Sequence, residues 1–520
     1  MTSVPAPDAT RRVRLAELTA GLAAAPAAVE VSDVTLDSRT ASPGALFLAC
    51  HGHGRHGAEF AGQALARGAR AVLYEPSNGA LELIQAALRG LHGAGGDVAE
   101  EVFVAAVPQL SRHVGVIADR FFGRPSAALT VAGVTGTNGK TTCAWLLAQA
   151  LSRCSRPAAY MGTIGFGFPD ALADTEHTTS DAVTVHRRLA VMRSLGAAAV
   201  SMEVSSHALD QARVGGVRFH TAAFTNLTRD HLDYHGTMAA YAESKARLFA
   251  WPGLGLRVIN VDDEFGARLA GQLSAAQLVV TARTSAASAV PAATRVVRAL
   301  RVEAAVSGLA LDVQSSWGAA KLNVPLIGEF NADNALTVLA VLLAWDIPLA
   351  TAAAALESCR AAPGRMEAFG GRGGAPLAIV DYAHTPDALA KALRAARRHC
   401  RGRLRVVFGC GGDRDPGKRP MMGRIAAELA DESVVTDDNP RSEPPERIVQ
   451  EIVAGIPRSA AARVEHDRAR AIRGALAGSG PEDVVLIAGK GHEEYQIYGA
   501  ERRPFSDQSV ARAALEAMRP

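Results

Sequence analysis

No apolar run in this sequence is long enough to cross a bilayer, and Met1 to Arg14 lack the apolar centre of a secretory leader. Cysteine is scarce. The six present (Cys50, Cys143, Cys154, Cys359, Cys400 and Cys410) are scattered, with no C-x-x-C pair, which is the usage expected of reduced thiols in a cytoplasmic protein. An excess of either charge is also missing. Lys and Arg number 55 and Asp and Glu 52, leaving a net charge of +3 that gives no reason to invoke nucleic acid or anionic membranes. No internal repeat or long low-complexity tract occurs. What is present is an ordinary globular composition, 48% hydrophobic and 21% charged, in 520 residues. That length exceeds one hydrophobic core and suggests about three domains.

Short apolar strands alternate with helical patterns, which predicts an α/β fold with mostly parallel sheets. The expected domains are 1–112, 113–355 and 356–520. The first holds strands Val34–Ser38, Ala45–Ala49 and Ala71–Tyr74 and a flexible Gly/Ala stretch, Gly90–Gly96. The second begins at the apolar run Leu129–Val134 and continues through strands Ala197–Val204, Thr221–Leu227 and Arg257–Val261. A β-rich part with weak signals, Leu278–Val324, then precedes a helix, Ala332–Trp345. The third carries strands Leu377–Asp381, Leu404–Gly409, Ser433–Asp437 and Val484–Gly489 in a Rossmann-like alternation with helices. Ligands of open parallel sheets sit at the carboxyl ends of strands, and the polar motifs fall there.

The most informative motif is Gly136-Thr137-Asn138-Gly139-Lys140-Thr141-Thr142, between the 129–134 run and a helical pattern, Thr141–Leu151. Strand, glycine loop and helix start make a phosphate cradle of backbone N–H groups. Lys140 is placed to reach the β/γ-phosphates of ATP, and the Thr141 hydroxyl to ligate Mg²⁺. The common pattern has a glycine where this chain has Val134, so the loop is a tighter variant.

Other strand ends add chemistry. Glu203, in Met202-Glu203-Val204-Ser205-Ser206-His207, is a candidate Mg²⁺ ligand beside Thr141, and His231, in the polar run Thr225–His235, a candidate ligand of a second ion. Lys245 falls within the apolar stripe Met238, Tyr241, Ala242, Leu248 and Phe249 of a helix expected over 237–250. Such a lysine either snorkels to water or is desolvated, loses its proton and becomes able to take up CO₂ as a carbamate. In the third domain, Arg414, Arg441 and Glu493 could grip a zwitterion, with guanidinium forks on carboxylates and a carboxylate on an ammonium.

In order and spacing these motifs resemble the Mur ligases of bacterial peptidoglycan synthesis, over nearly the whole chain. The core of the resemblance is Gly136–Thr142, Met202–His207, Asn226–His235, Tyr241–Lys245, Gly328–Leu336, Pro363–Glu367 and Asp381–Asp387. Asp37-Ser38-Arg39, Thr178-Thr179 and Gln211-x-Arg213 are most similar to members that add an amino acid to UDP-N-acetylmuramoyl-L-alanyl-D-glutamate. Asp438-Asn439-Pro440-Arg441 resembles the motif of members adding meso-diaminopimelate, whereas lysine-adding members usually lack that arginine. Thr178-Thr179-Ser180 departs from the family's Thr-Thr-Pro form.

The resemblance implies a central phosphate-loop ATPase domain, a Rossmann-like C-terminal domain and ATP-driven amide formation by a cytoplasmic monomer. Its implied sites are Ser38, His53, Gly54 and Arg55 at the UDP end of the nucleotide substrate, with Thr178, Thr179, Ser205, Gln211 and Arg213 at the muramoyl-peptide end. Asn334 is implied at adenine, with Arg365 and Asp381 reaching ATP from the third domain. Arg414, Asp438, Asn439, Pro440, Arg441, Gly489 and Glu493 form the implied diaminopimelate pocket. Lys140, His231 and Lys245 are the implied catalytic residues, and Mg²⁺ is implied at Thr141, Glu203, His231 and carbamylated Lys245. Folylpolyglutamate synthase shares the core but not the Asp37–Arg39 or Asp438–Arg441 runs. An ATP-binding switch or scaffold has no use for the strand-end arginines.

Overall fold

Alternation along the strand Ala45–Ala49 builds the first sheet: Leu46 and Leu48 face one core, Phe47 and Ala49 the other. The computed structural model describes residues 11–52, 54–93, 102–175, 177–283, 291–292, 294–305 and 308–518. It is an α/β protein whose backbone falls into two units, Met1–Lys140 with Ser155–Arg257, and Thr141–Cys154 with Val258–Pro520.

Besides the two-stranded pair Val13–Arg14 with Glu30–Val31, the first unit contains two larger sheets. One is fully parallel, in the order Asp33–Thr35, Ala45–Ala49, Ala71–Tyr74, Phe103–Ala106. Helices Ala61–Ala66 and Ala80–Gly93 cover one face, and Leu110–Phe121 the other. The strand expected over 34–38 stops at Thr35, because Asp37 turns back to accept the Arg39 N–H and caps a 3-10 turn, Ser38–Thr40. The expected flexible stretch is helical through Gly93, and residues 94–96 lie outside the described residues. The other sheet runs Ala171–Ala173, Gly165–Phe168, Ala158–Gly162, Ala199–Glu203, Thr130–Thr135, Thr221–Phe224. Its last four strands are mutually parallel. The strand expected over 221–227 ends at Phe224, since Thr225 and Asn226 leave the ladder to bond the glycine loop.

In the second unit, Leu278–Ala282 pairs parallel with Arg295–Ala305, followed by antiparallel strands Gly308–Ser315 and Gly318–Val324. The described residues of the 278–324 part are therefore mainly β, as expected. Helix Phe330–Ala344 is buried almost all round, and beyond its polar first turns the residues Val338–Ala344 are apolar on every face. The C-terminal sheet is ordered Glu367–Gly370, Leu377–Asp381, Val484–Ala488, Leu404–Phe408, Glu432–Val435, Ala462–Val464, parallel except for its first pair. Each central strand divides its side chains between two cores. Leu404, Val406 and Phe408 meet the 386–398, 418–429 and 445–453 helices, while Val407 meets 468–477 and 507–517. The carboxyl ends of these strands carry the 381–384, 409–415, 436–441 and 489–493 loops.

Candidate active site

Thr130–Thr135 delivers the chain into a loop that only glycine can make. Gly136 and Gly139 have φ 150 and 86, and a Cβ on Gly136 would lie 2.0 Å from Thr225 Oγ1. The loop is braced from the strand end beside it. Thr137 N–H donates to the Asn226 carbonyl (2.8 Å), Asn138 N–H to Asn226 Oδ1 (2.9 Å), and Thr225 Oγ1 to the Asn138 carbonyl (2.6 Å). Thr228 N–H donates to Thr137 Oγ1 (2.9 Å), which also meets the Tyr241 hydroxyl at 3.1 Å. Much of the polar 225–228 run is thus spent on holding the loop. Lys140 folds back over it, donating to the Gly136 and Thr137 carbonyls at 2.9 and 2.8 Å.

Lys245 does not snorkel. It is 1% exposed on the helix Met238–Ala246, donates to the Gly136 carbonyl at 2.8 Å and lies 4.4 Å from the Tyr241 ring centre. Two lysine nitrogens, those of Lys140 and Lys245, therefore share one carbonyl. Desolvation first, and the Lys140 charge second, push the Lys245 pKa down to about 6. Its amine is largely neutral at pH 7 and chemically able to attack CO₂. His231 sits at left-handed φ 51, half exposed, with its ring 6.1 Å from Tyr241 and 4.9 Å from His207. Lys245 and His231 thus border the same tyrosine.

Glu203 ends its strand fully buried. Its carboxylate accepts the Tyr160 hydroxyl, the Thr163 N–H (2.8 Å) and the Thr163 hydroxyl (3.2 Å). Thr163 also donates to Thr178 Oγ1 (3.0 Å), and Thr179 Oγ1 donates to the Glu203 carbonyl (2.8 Å) while accepting the Ser205 N–H (3.2 Å). Arg213 donates to the Thr179 carbonyl (3.0 Å) and to Gln211 Oε1, and Gln211 donates to the Tyr234 hydroxyl (3.0 Å). Thr178, Thr179, Glu203, Ser205, Gln211 and Arg213 therefore form one connected network. Tyr160 and Thr163 belong to it and were not foreseen, because a tyrosine and a threonine near a strand end carry no spacing signal.

In the first domain, Ser38 donates to Gln63 (2.6 Å), while Arg55 pairs with Glu59 and lies over the Phe60 ring. Both side chains are anchored to the 57–66 helical segment. Gly54 begins the turn beside Arg55, and His53 lies outside the described residues.

In the second unit, Thr141 and Thr142 are buried in the first turn of the helix Lys140–Arg153. Asn334 is buried, its amide oriented by the Cys143 thiol on Oδ1 (3.3 Å) and by Asn331 Oδ1 on its NH₂ (2.7 Å). Asp381 accepts the Met366 N–H (2.9 Å) beside Arg365, which stacks on Tyr382. Burial raises the Asp381 pKa, and Arg365 opposes that shift. Gly364 is pressed against Gly491, where a Cβ would lie 2.1 Å from the backbone.

The 489–493 loop meets the 436–441 loop through Lys490, a buried ammonium missing from the expected set. It donates to Glu493 Oε2 (2.9 Å) and Asn439 Oδ1 (3.1 Å), and Asn439 donates to Glu493 (2.9 Å). Gly489 leaves room for Asp438, whose carboxylate would lie 2.6 Å from an added Cβ. Pro440 is buried, and its carbonyl lies 1.9 Å from where a Cβ on Gly412 would stand. Arg414 and Arg441 flank Gly411. The signal for Lys490 was its place in Gly489-Lys490-Gly491, between two glycines at positive φ.

Among the described residues no group of three His, Cys, Asp or Glu side chains is arranged to hold a metal ion. Of the expected ligands in the first unit, Glu203 offers carboxylate oxygens and His231 a ring nitrogen, and Lys245 can join them on one condition. An ammonium has no lone pair to give, so Lys245 becomes an oxygen ligand only as the carbamate.

Three family models match the chain: the Mur ligase family catalytic domain over residues 30–112, the Mur ligase middle domain over 134–342, and the Mur ligase glutamate ligase domain over 364–491. UDP-N-acetylmuramoyl-L-alanyl-D-glutamate--2,6-diaminopimelate ligase of Alkalilimnicola ehrlichii is 48% identical over 496 residues, covering 93% of this chain and 95% of that one. The ligase of the same name from Chromobacterium violaceum is 48% identical over 490 residues, 94% of each. A solved structure of a ligase of that name is similar at TM-score 0.70 and 34% identity, covering 98% of this chain and 100% of that chain. No helix among the described residues is long and apolar enough to cross a membrane.

Proposed function

The chain belongs to the Mur ligase family, and we propose that it joins meso-2,6-diaminopimelate to the D-glutamate of UDP-N-acetylmuramoyl-L-alanyl-D-glutamate, using ATP, in peptidoglycan precursor synthesis. The observation that carries this reading is the near-full-length identity to diaminopimelate ligases together with the Asp438-Asn439-Pro440-Arg441 run.

A carboxylate is a poor acyl donor. Transfer of the γ-phosphoryl group to the D-glutamate side chain gives an acyl phosphate and ADP. The diaminopimelate amine then attacks that carbonyl, phosphate leaves and the nitrogen loses a proton. Such transfer needs positioning and charge neutralisation more than covalent help. Gly136 to Thr142 wrap the phosphates, with Lys140 turning from the loop carbonyls to the γ-phosphate. Thr178, Thr179, Ser205, Gln211 and Arg213 orient the muramoyl peptide, and Ser38, His53, Gly54 and Arg55 the uridine end. Asn334 takes adenine, while Arg365 and Asp381 complete the ATP contacts. Arg414, Asp438, Asn439, Pro440, Arg441, Gly489 and Glu493 hold diaminopimelate. Thr141, Glu203, His231 and carbamylated Lys245 are the residues to hold Mg²⁺, which supplies charge neutralisation at the transferring phosphoryl group. The carbamate forms when neutral Lys245 adds to CO₂ and releases one proton. The working units are 1–112 for the UDP-sugar-peptide, 113–355 for ATP and 356–520 for the amino acid, in a cytoplasmic enzyme.

The test follows phosphate release from ATP and Mg²⁺ with the UDP-muramoyl dipeptide, offering meso-diaminopimelate and L-lysine separately. Release with diaminopimelate and little with lysine is expected. Preference for lysine would remove the role given to Arg441, and no release with either would remove the ligase reading.

A further inference from the structure

Arg414 and Arg441 stand on different loops, beyond the strands Leu404–Phe408 and Glu432–Val435. Both loops are irregular, and Asp413 and Arg441 hold left-handed backbone at φ 53 and 54, a conformation that residues with side chains avoid. Neither loop alone fixes its guanidinium. One tie between them is a carboxylate from outside the expected pocket. Glu443 Oε1 accepts the Asp413 N–H at 2.6 Å, and its two oxygens accept the Arg419 guanidinium at 2.8 and 3.0 Å.

Arg419, on the helix Lys418–Leu429, is fully buried and also donates to Glu451 at 2.7 Å. Asp413 in turn accepts the Ser442 hydroxyl (2.5 Å) and N–H (3.2 Å). Arg441 donates to the Gly412 carbonyl at 2.8 Å, closing a ring of bonds from Arg419 to Arg441 and back to the first loop. The result is visible at Gly411, where an added Cβ would lie 2.8 Å from Arg441 Nη1 and 3.8 Å from Arg414 Cγ. The Arg441 guanidinium and the stem of Arg414 thus stand beside one glycine. Arg419, followed by the Asp413 N–H, lowers the Glu443 pKa to about 2, so this tie stays ionised at any working pH.

The geometry points to Glu443, anchored by Arg419, as the positioning residue that sets the spacing of Arg414 and Arg441 and so selects an amine substrate bearing two carboxylates over one bearing a single carboxylate. It acts through the arginines and touches no substrate. The inference rests on the amine-pocket reading above.

Glu443→Gln keeps the size of the side chain but cannot accept from every one of these donors. In steady-state assays of the full chain, KM for meso-diaminopimelate is expected to rise about thirty-fold, the effect of one lost charge-assisted hydrogen bond. kcat and the KM values for ATP and the UDP-muramoyl dipeptide stay unchanged, and the preference over L-lysine falls by the same factor. Arg419→Lys, which keeps the charge but loses the fork, gives the same signature more weakly and serves if the first variant does not fold. In an Arg441→Lys background, Glu443→Gln adds little, since both act on one contact. An unchanged diaminopimelate KM in a folded variant, or an equal loss for all three substrates, overturns the inference alone. Wild-type enzyme that releases no phosphate with either amine overturns the functional reading and this inference with it.

Discussion

Two lysines are buried in this protein, and their surroundings differ in the charge that stands beside each. Lys245 and Lys490 are 1% and 0% exposed, and each has an oxygen acceptor and a tyrosine ring within reach. Lys490 also has Glu493 at 2.9 Å, so its charge is matched and the pair locks Asn439 between two strand-end loops. Lys245 has the neutral Gly136 carbonyl and a second ammonium, Lys140, on the same atom. Burial is common to both; the partner decides whether the lysine keeps a matched charge or is pushed toward the neutral amine.

The sharpest way to break this comparison is Lys245→Ala, which is expected to lower kcat by about a thousand-fold, the scale of losing one electrostatic group at a transferring centre. Added short carboxylates should partly restore the rate; full activity of the variant would end the carbamate role.

Stability should separate the two lysines by sign. Lys490→Met leaves the Glu493 carboxylate without its cation and is expected to cost about 3 kcal/mol. Lys245→Met removes a buried amine that must give up its proton on folding, and is expected to raise the thermal midpoint at neutral pH while removing activity. The pH dependence follows from linkage. Lys245 titrates near 6 when folded and near 10.5 when unfolded, so between those values the unfolded chain binds more protons. Wild-type stability therefore gains a rising component from pH 6 to 10.5, and Lys245→Met should lose it, its advantage being largest below pH 6. Thermal melts of both variants from pH 6 to 9 check sign and slope together; equal shifts for both would dissolve the contrast.

The smallest effect marks the baseline. Glu264 and Arg268 form an exposed i,i+4 pair, with side chains 89% and 61% accessible. Arg268→Ala should change stability by less than about 0.5 kcal/mol, as solvated pairs do. A larger shift would mean that charge pairing outside the core matters more here than burial.

Much of this was legible in the chain. Ala45–Ala49, Ala71–Tyr74 and Leu377–Asp381 were read to the residue, because buried parallel strands are short apolar runs bounded by polar turns. Strand ends were read less well where a side chain takes the chain out of its ladder, as Asp37 does by capping and Thr225 by bonding Asn138. The Lys245 stripe suggested two outcomes, and spacing could not choose between them. Tyr160 and Thr163 stayed hidden because their importance lies in touching Glu203, some forty positions away.

Local order, then, was determined by the sequence alone: alternating apolar runs, glycines where φ must be positive, and caps that end helices, all set by interactions within a few residues. The state of each buried charge was decided only by tertiary structure. Whether Lys245 meets water or a carbonyl, and whether Glu443 meets Arg419, depends on segments remote in the chain arriving at one place, and the energy of a charge depends on everything around it.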